Sequence, residues 1–505
     1  GLSEMDILAN LELGIVTALS LDNLFYCFVG VLLGTAIGVL PGLGPLTTIA
    51  ILLPITFDLQ PVASLIMLAG IYYGAQYGGS TTAILVNLPG ESASVVTALD
   101  GYKLAMKGKA GLALATAAIG SFFAGTVATV LVALFAPPLT TVALQFGPAE
   151  YFSLMTFGLV AVVMLARGSA LKAVCMVLVG LLLATVGTDQ DTGALRFTFG
   201  FPDLMDGVDF IPVAMGMFGI ADIFASLAEQ RGPEPLAPTK ITSLWPSREE
   251  FRQAWKPALR GTAIGSLFGV LPGGGPTIST FASYTIEKRI AKHPERFGHG
   301  AVEGVAGPES ANNAAAQTAF IPMLTLGIPS NAVLAIMAAS MTIHGITPGP
   351  AVMTKTPALF WGMIASMWIG NLMLLILNLP LIGIWVKLLS APYRLLYPAI
   401  LLFCAVGVYS VKNNVHDVGM MTLFGIVGYV LIRLEADPAP LLLGLVLGPM
   451  MEQNLRRAMV IADGDWTVFV RKPISATLLA MAALLVVAII VPNIRRARDA
   501  ARAFE

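Results

Sequence analysis

Charge is scarce in this chain. Lys, Arg, Asp and Glu make up 12% of its 505 residues, against about 25% in a soluble domain. Hydrophobic residues reach 56%, and the mean hydropathy is +0.80. One membrane anchor cannot supply that average, so the apolarity is spread along the chain, as in a polytopic membrane protein. A net charge of −1 offers no basic surface to nucleic acid. Cysteines are few: Cys27, Cys175 and Cys404 each sit in an apolar run, which argues against a disulfide framework or a cysteine metal cluster. Catalytic signatures are missing too. There is no Walker-type Gly-x4-Gly-Lys-Ser/Thr loop to hold ATP, neither HExxH nor GxSxG occurs, and Gly42-Leu43-Gly44 lacks the strand-to-helix setting of a dinucleotide fingerprint. No His/Cys/Asp constellation converges, so no enzyme is expected. The first residues show no basic stretch or small-residue cleavage site, so no signal peptide is expected.

What is present maps a bilayer. A crossing helix needs about 20 apolar residues. Charge-free runs cover 23–57, 59–90, 110–149, 261–286, 310–354, 356–386 and 473–494, with shorter ones between. The longest exceed one crossing and hold two passes, or a pass and a re-entrant hairpin. None alternates as a β-barrel strand would. The expected fold is all-α, a polytopic membrane protein of 10 to 14 membrane segments.

One pattern occurs twice. Residues 30–45 read GVLLGTAIGVLPGLGP and residues 261–276 read GTAIGSLFGVLPGGGP. At an offset of 231, nine of sixteen positions are identical, including Gly30/Gly261, Gly34/Gly265, Gly38/Gly269 and the prolines at both ends of the break. Matched breaks in two halves are the mark of a carrier whose site lies between repeats. The water-loving stretch 229–257 lies between the copies and reads as a cytoplasmic linker, leaving a first membrane half at 1–228 and a second at 258–505.

Lys and Arg favour the cytoplasm. That rule places Lys103/Lys107/Lys109, Arg248/Arg252/Lys256/Arg260, Lys288/Arg289/Lys292/Arg296, Arg456/Arg457/Arg471/Lys472 and Arg495/Arg496/Arg498 inside, with the C-terminus. The N-terminal flank has Glu4, Asp6, Glu12 and Asp22 and no basic residue, so repeat one is entered from outside and repeat two from inside. Three segments then fit each repeat: 24–40, 46–57 and 62–88, against 258–272, 277–286 and 310–326. The halves are expected to be inverted relative to each other.

The breaks PGLGP (41–45) and PGGGP (272–276) stop a helix within the apolar zone, because proline removes a donor and glycine relaxes the backbone. Such backbone survives at membrane depth only where protein or water covers it, and the amides of the next half-helix can face an anion. A tight turn at the membrane surface is the plainer alternative for either copy alone. On the functional reading Gly42, Gly44, Gly273, Gly275 and Thr277 line a substrate site. A second pair aligns residues 85–90 with 325–330 at an offset of 240. Ser80, Thr81 and Asn87 in one half, with Asn312, Asn313 and Ser330 in the other, offer hydroxyls and amides to a carboxylate. Close helix packing is the alternative for the small residues. Asn312 and Asn313 are adjacent, so both cannot be packing residues on one face. Glu309 heads an uncharged run; it either binds a coupling cation with Asn312 and Asn313 or caps a helix start. Glu91, Glu303 and Asp222 read as solvated flanks, His344 as a packed, hydrogen-bonded histidine, and Arg167, Asp189 and Asp191 as loop charges.

These segments resemble the large transmembrane (permease) subunit of the tripartite tricarboxylate transporter family. The resemblance covers nearly the whole length. It is carried by GVLPGLGP with the following LLPITF (52–57), GIYYGAQYGGSTTAILVNLPGE (70–91), TALDGYKLAMKGKAG (97–111) and GPESANNAAAQTAFIPMLTLGIPS (307–330). Ser330 departs from it, since many relatives have glycine there. The resemblance implies a bacterial inner-membrane permease that imports a di- or tricarboxylate such as citrate by symport with sodium or protons, and no other cofactor. It implies two partners, a periplasmic solute-binding protein and a small transmembrane subunit. A carrier or exporter of other organic anions that needs no binding protein is the alternative.

Overall fold

In the computed structural model the described residues are 4–40, 43–87, 91, 93–165, 169–189, 192–228, 244–271, 275–389 and 393–502. They are overwhelmingly helical. In chain order, α1 (Glu4–Ala18) precedes α2 (Leu21–Gly38), α3 (Pro45–Leu52) and α4 (Pro61–Val86). Then α5 (Ser94–Leu104) passes through a π-turn into α6 (Ala110–Ala143), followed by α7 (Pro148–Leu165) and α8 (Ala170–Ala184). A short antiparallel pair, β1 (Gly187–Thr188) and β2 (Leu195–Arg196), leads to α9 (Phe210–Ala214) and α10 (Ala221–Ala228). The second copy of the pattern brings α11 (Arg248–Gly269), α12 (Gly275–Ile290), α13 (Glu303–Thr318) and α14 (Phe320–Leu326). The rest is α15 (Ala332–Ile343), α16 (Pro350–Lys355), α17 (Pro357–Asn378), α18 (Ile382–Leu388), α19 (Tyr393–Lys412), α20 (Val415–Arg433), α21 (Ala439–Ile461), α22 (Val468–Arg471) and α23 (Pro473–Arg502). Among described residues, Leu21–Gly38, Ser94–Ala143, Pro357–Asn378 and Val415–Arg433 are long and apolar enough to cross a membrane, and shorter apolar helices accompany them. The chain is an all-α polytopic membrane protein, as its composition requires.

The repeat seen in the sequence is a repeat of helix packing. Along α2, Gly30, Gly34 and Gly38 lie against Met67, Ile71 and Ala75 of α4. Along α11, Gly261, Gly265 and Gly269 lie against Gly307, Ala311 and Ala315 of α13. A Cβ on Gly34 would overlap the Ile71 carbonyl, and one on Gly265 the Ala311 carbonyl. Backbones this close gain dispersion contacts that longer side chains would prevent, which is how helices associate where lipid removes the hydrophobic drive. The partners on α4 and α13 differ by 240, the offset read from the second motif pair. Both helix systems also end alike: α4 closes on Asn87 (φ 59°) and α14 on Gly327 (φ 74°), each in the left-handed region.

The chain forms two compact units, each discontinuous. One comprises Gly1–Thr141 and Ile211–Tyr429, and holds both copies of the repeat. Its basic loops meet at one place. Buried Asp100 of α5 accepts the amides of Gly298, Gly300 and Ala301 (2.9, 2.7 and 2.8 Å) and the Tyr284 hydroxyl (2.9 Å). Lys107 donates to the His299 carbonyl (2.7 Å), and Lys109 pairs with Glu250 (3.2 Å). The patches at 103–109, 248–260 and 288–296 therefore share a side, as expected. Residues 229–243 of the expected linker lie outside the described residues. Its final part is helix, since α11 starts at Arg248 behind a capping box of Ser247 and Glu250.

The other unit comprises Val142–Phe210 and Val430–Glu505. Gly180 of α8 meets the Leu441 carbonyl of α21, and Gly444 of α21 meets the Val177 carbonyl of α8. α7 packs on α23 through Ser153 and Ser475 (2.7 Å between hydroxyls). Lys472 and Arg495 stand at opposite ends of the charge-free stretch of α23, about 33 Å of helix. Most bases of the 456–472 cluster are ion-paired. Arg456 is held by Asp189 (2.7 Å) and Glu452 (2.6 Å), Arg471 by Asp465 (3.2 Å) and Lys472 by Glu150 (3.2 Å). Asp189, expected as a plain loop charge, is buried and carries a second arginine, Arg196 (3.4 Å).

Candidate functional site

A buried polar cluster forms where α4, α5, α6 and α13 of the first unit meet. Its centre is Glu309, only 1% exposed. α13 is rich in Ala, Gly and Ser, so neighbouring helices approach its backbone closely and bury the carboxylate among them. Glu309 lies more than a turn beyond the start of α13 at Glu303, so the helix-cap reading is wrong. It is ringed by hydroxyls. Ser80 of α4 donates to Oε2 (2.8 Å), Thr97 of α5 donates to Oε1, and Ser121 of α6 lines the same small void as the carboxylate. Ionisable groups at such depth are costly and persist where they act.

The adjacent asparagines go separate ways, as their adjacency demanded. Asn313 donates from Nδ2 to Ser121 (2.6 Å) and to the Glu309 carbonyl (3.1 Å). Asn312 donates to Glu91 (3.1 Å) and accepts from Gln76 (3.4 Å). Glu91 is therefore no solvated flank: it is half-buried and tied to the site helix. Glu303 is also half-buried and lies 3.6 Å from Arg296. The Asp222 side chain lies outside the described residues. His344 sits 3.1 Å from the Ser64 hydroxyl, the packed histidine expected.

Beside Glu309 is a void of about 10 Å³, room for a single water-sized body. Tyr77, Ser80, Thr81, Ser121 and Asn378 are among its walls. Thr81 returns its hydroxyl to the Tyr77 carbonyl (3.1 Å), and Tyr77 donates to Asn371 of α17 (3.0 Å). Asn378 closes α17. It is 3% exposed, donates from Nδ2 to the Leu374 carbonyl (3.0 Å), and leaves Oδ1 without a hydrogen-bond partner among the described residues. That amide cannot be flipped to advantage, since a flip would set two acceptors face to face.

The structure thus gathers Ser80, Thr81, Glu309 and Asn313 at one place, with Asn312 one turn of hydrogen bonding away. Other expected site residues fall elsewhere. Asn87 is exposed and serves as the left-handed end of α4. Ser330 is buried, but its hydroxyl goes to the Ala319 carbonyl (3.3 Å). Gly44 and Gly275 begin α3 and α12, and Thr277 sits half-buried in the first turn of α12. Gly42 and Gly273 lie outside the described residues, as do Arg167 and Asp191. Sequence reasoning missed Thr97, Ser121 and Asn378. Single hydroxyls and one amide inside apolar helices leave no periodic mark, and only the fold brings them to Glu309.

A family model described as the tripartite tricarboxylate transporter TctA family matches residues 24–443. A protein of Agrobacterium vitis named "Uncharacterized 52.8 kDa protein in TAR-I ttuC' 3'region" is 60% identical over 495 residues, 98% of each chain. Another from the same organism, "Uncharacterized protein in TAR-II ttuC' 3'region", is 61% identical over 235 residues, 46% of this chain and 97% of its own length. No solved structure matches.

Proposed function

The chain belongs to the tripartite tricarboxylate transporter TctA family, and from that we propose that it is the permease through which a di- or tricarboxylate of the citrate class enters the cell, driven by a sodium or proton gradient. The observation that carries this reading is Glu309. A lone carboxylate, buried among hydroxyls where two repeated helix pairs meet, is the kind of group that binds and releases a driving cation within a membrane. The carboxylate cargo needs another place, because the void at Glu309 admits only a water-sized body. We assign it to the helix breaks at Gly44 and Gly275, with Thr277 beside them, where freed amides favour an anion. The two halves are proposed to be inverted, with the permease in the bacterial inner membrane and its C-terminus cytoplasmic. A periplasmic binding protein would deliver the cargo, and a small transmembrane subunit would complete the assembly.

The test is uptake of radiolabelled citrate, and then of other carboxylates, into proteoliposomes holding this chain and its small subunit. Sodium and proton gradients are imposed separately, with and without binding protein. Uptake requiring the binding protein and one gradient is the expected result. Uptake without the binding protein would overturn the tripartite mechanism in favour of a stand-alone carrier.

A further inference from the structure

The void beside Glu309 has three properties that ask for the same occupant. Its one formal charge is a carboxylate whose hydrogen-bond partners are hydroxyls, and among the described residues no Lys, Arg or His neutralises it. Its wall includes Asn378, whose buried Oδ1 has no donor among the described residues. Unpaired buried acceptors are rare and costly. Its volume fits one small body and excludes an organic anion. A proton on Glu309 would answer only the first of these. A water would answer the second and third but leave the charge unbalanced.

We propose that this void is the binding site of a single sodium ion, held by the Glu309 carboxylate, Asn378 Oδ1 and the hydroxyl oxygens of Ser80 and Ser121. The donor set is all oxygen, which selects a hard cation. One carboxylate balances one positive charge, and no group of three His, Cys, Asp or Glu residues stands among the described residues to hold a transition metal. The hydroxyls can coordinate through a lone pair while donating their hydrogens to the carboxylate. Asn312 and Asn313 do not line the void, and their Nδ2 donors go to Glu91 and Ser121, so we assign them a positioning role. The site draws from α4, α6, α13 and α17, so filling it would tie four helices together. Only the ion's part in driving uptake rests on the transport reading above; its binding does not.

The experiment is direct binding of ²²Na⁺ to the full-length chain in detergent micelles, with choline holding ionic strength constant. Saturable binding of one ion per chain is expected, displaced by unlabelled sodium and not by potassium. Glu309→Gln should abolish it, and Asn378→Ala should weaken it at least tenfold. If Asn378→Ala does not fold, Asn378→Asp replaces it; a second carboxylate should tighten binding severalfold, and unchanged affinity would overturn the role of Asn378. Absent sodium binding, or binding equal in wild type and Glu309→Gln, overturns the site. Proton-driven uptake without sodium binding would sink the site and leave the transport reading intact. Sodium binding without carboxylate uptake under any gradient would do the reverse.

Discussion

The polar cluster has an apolar counterpart generated by the repeat itself. At the offset of 240, Glu309, Asn312 and Asn313 of α13 correspond to Ala69, Tyr72 and Tyr73 of α4, and Ser80 of α4 corresponds to Phe320. In one place Ser80 donates to Glu309. In the other Tyr72 and Tyr73 pack on Phe320, with ring centroids 6.3 and 6.0 Å apart. The same two helix surfaces, exchanged between copies, make a hydroxyl-ringed carboxylate once and an aromatic cluster once. What the copies share is what the backbone demands: glycine at the close approaches and a left-handed residue at the helix end. What they do not share is chemistry. A duplicated scaffold with one polar junction has room for the proposed cation once, where strict symmetry would give it two places.

The shared part is the hardest to disturb. Gly34→Val and Gly265→Val each drive a side chain into a neighbouring backbone carbonyl, and overpacking without a flexible neighbour costs about 3 kcal/mol or more. Both variants should lose most folded protein, measured as the monodisperse fraction after extraction. Loss in only one copy would break the equivalence of the two helix pairs.

The unshared part should separate function from stability. Glu309→Gln keeps the volume and removes the charge, so uptake should fall at least about a hundredfold, roughly 2.7 kcal/mol in the driving step, while the melting temperature holds or rises. Phe320→Leu at the counterpart position should lower stability by about 1–2 kcal/mol and leave uptake within about threefold. If both variants transport equally, the polar junction is not the working one.

The helix ends give a finer comparison. Asn87 corresponds to Gly327, which has no side chain to offer a ligand, so the position asks for left-handed backbone and not for an amide. Asn87→Gly should keep uptake and stability within about 0.5 kcal/mol, whereas Asn87→Val should cost about 1–2 kcal/mol in strain. Collapse of uptake in Asn87→Gly would restore the amide to the site.

Much of the fold was legible beforehand because membrane helices are written in composition. The expected segments 24–40, 46–57 and 62–88 became α2, α3 with its 3₁₀ extension, and α4; those at 258–272, 277–286 and 310–326 became α11, α12, and α13 with α14. The repeat showed in glycine spacing because close approach tolerates nothing larger. Glu309 stood out because a charge in an apolar run has few bland explanations. The rest of the site was hidden for a physical reason. Thr97, Ser121 and Asn378 reach Glu309 only through tertiary proximity, and a hydroxyl inside a helix looks the same whether it bonds its own turn or a carboxylate far along the chain. Asn87 shows the opposite case, since its visible role in the fold is its left-handed backbone at the end of α4. The partners of Arg456 and Lys472, Asp189 and Glu150, were hidden because they are distant in sequence.

The smallest difference between the copies lies where their glycine helices begin. Ser20 precedes α2 without any side-chain cap, whereas Ser247 accepts the Glu250 amide (3.3 Å) and Glu250 accepts the Ser247 amide (2.9 Å) at the head of α11. Ser20→Ala should be nearly silent, and Ser247→Ala should cost about 1 kcal/mol. The cap also titrates. The Ser247 amide holds the Glu250 carboxyl below its ordinary value, with Ser247 Oγ and Lys109 adding to the effect. A depressed folded value means the cap's contribution is complete above the unfolded carboxylate range, near pH 4.3, and fades as pH falls through the lower folded value. The gap in melting temperature between wild type and Glu250→Gln should therefore be constant near neutrality and close below about pH 4. A gap that persists in acid would show that Glu250 works through packing and not through its charge.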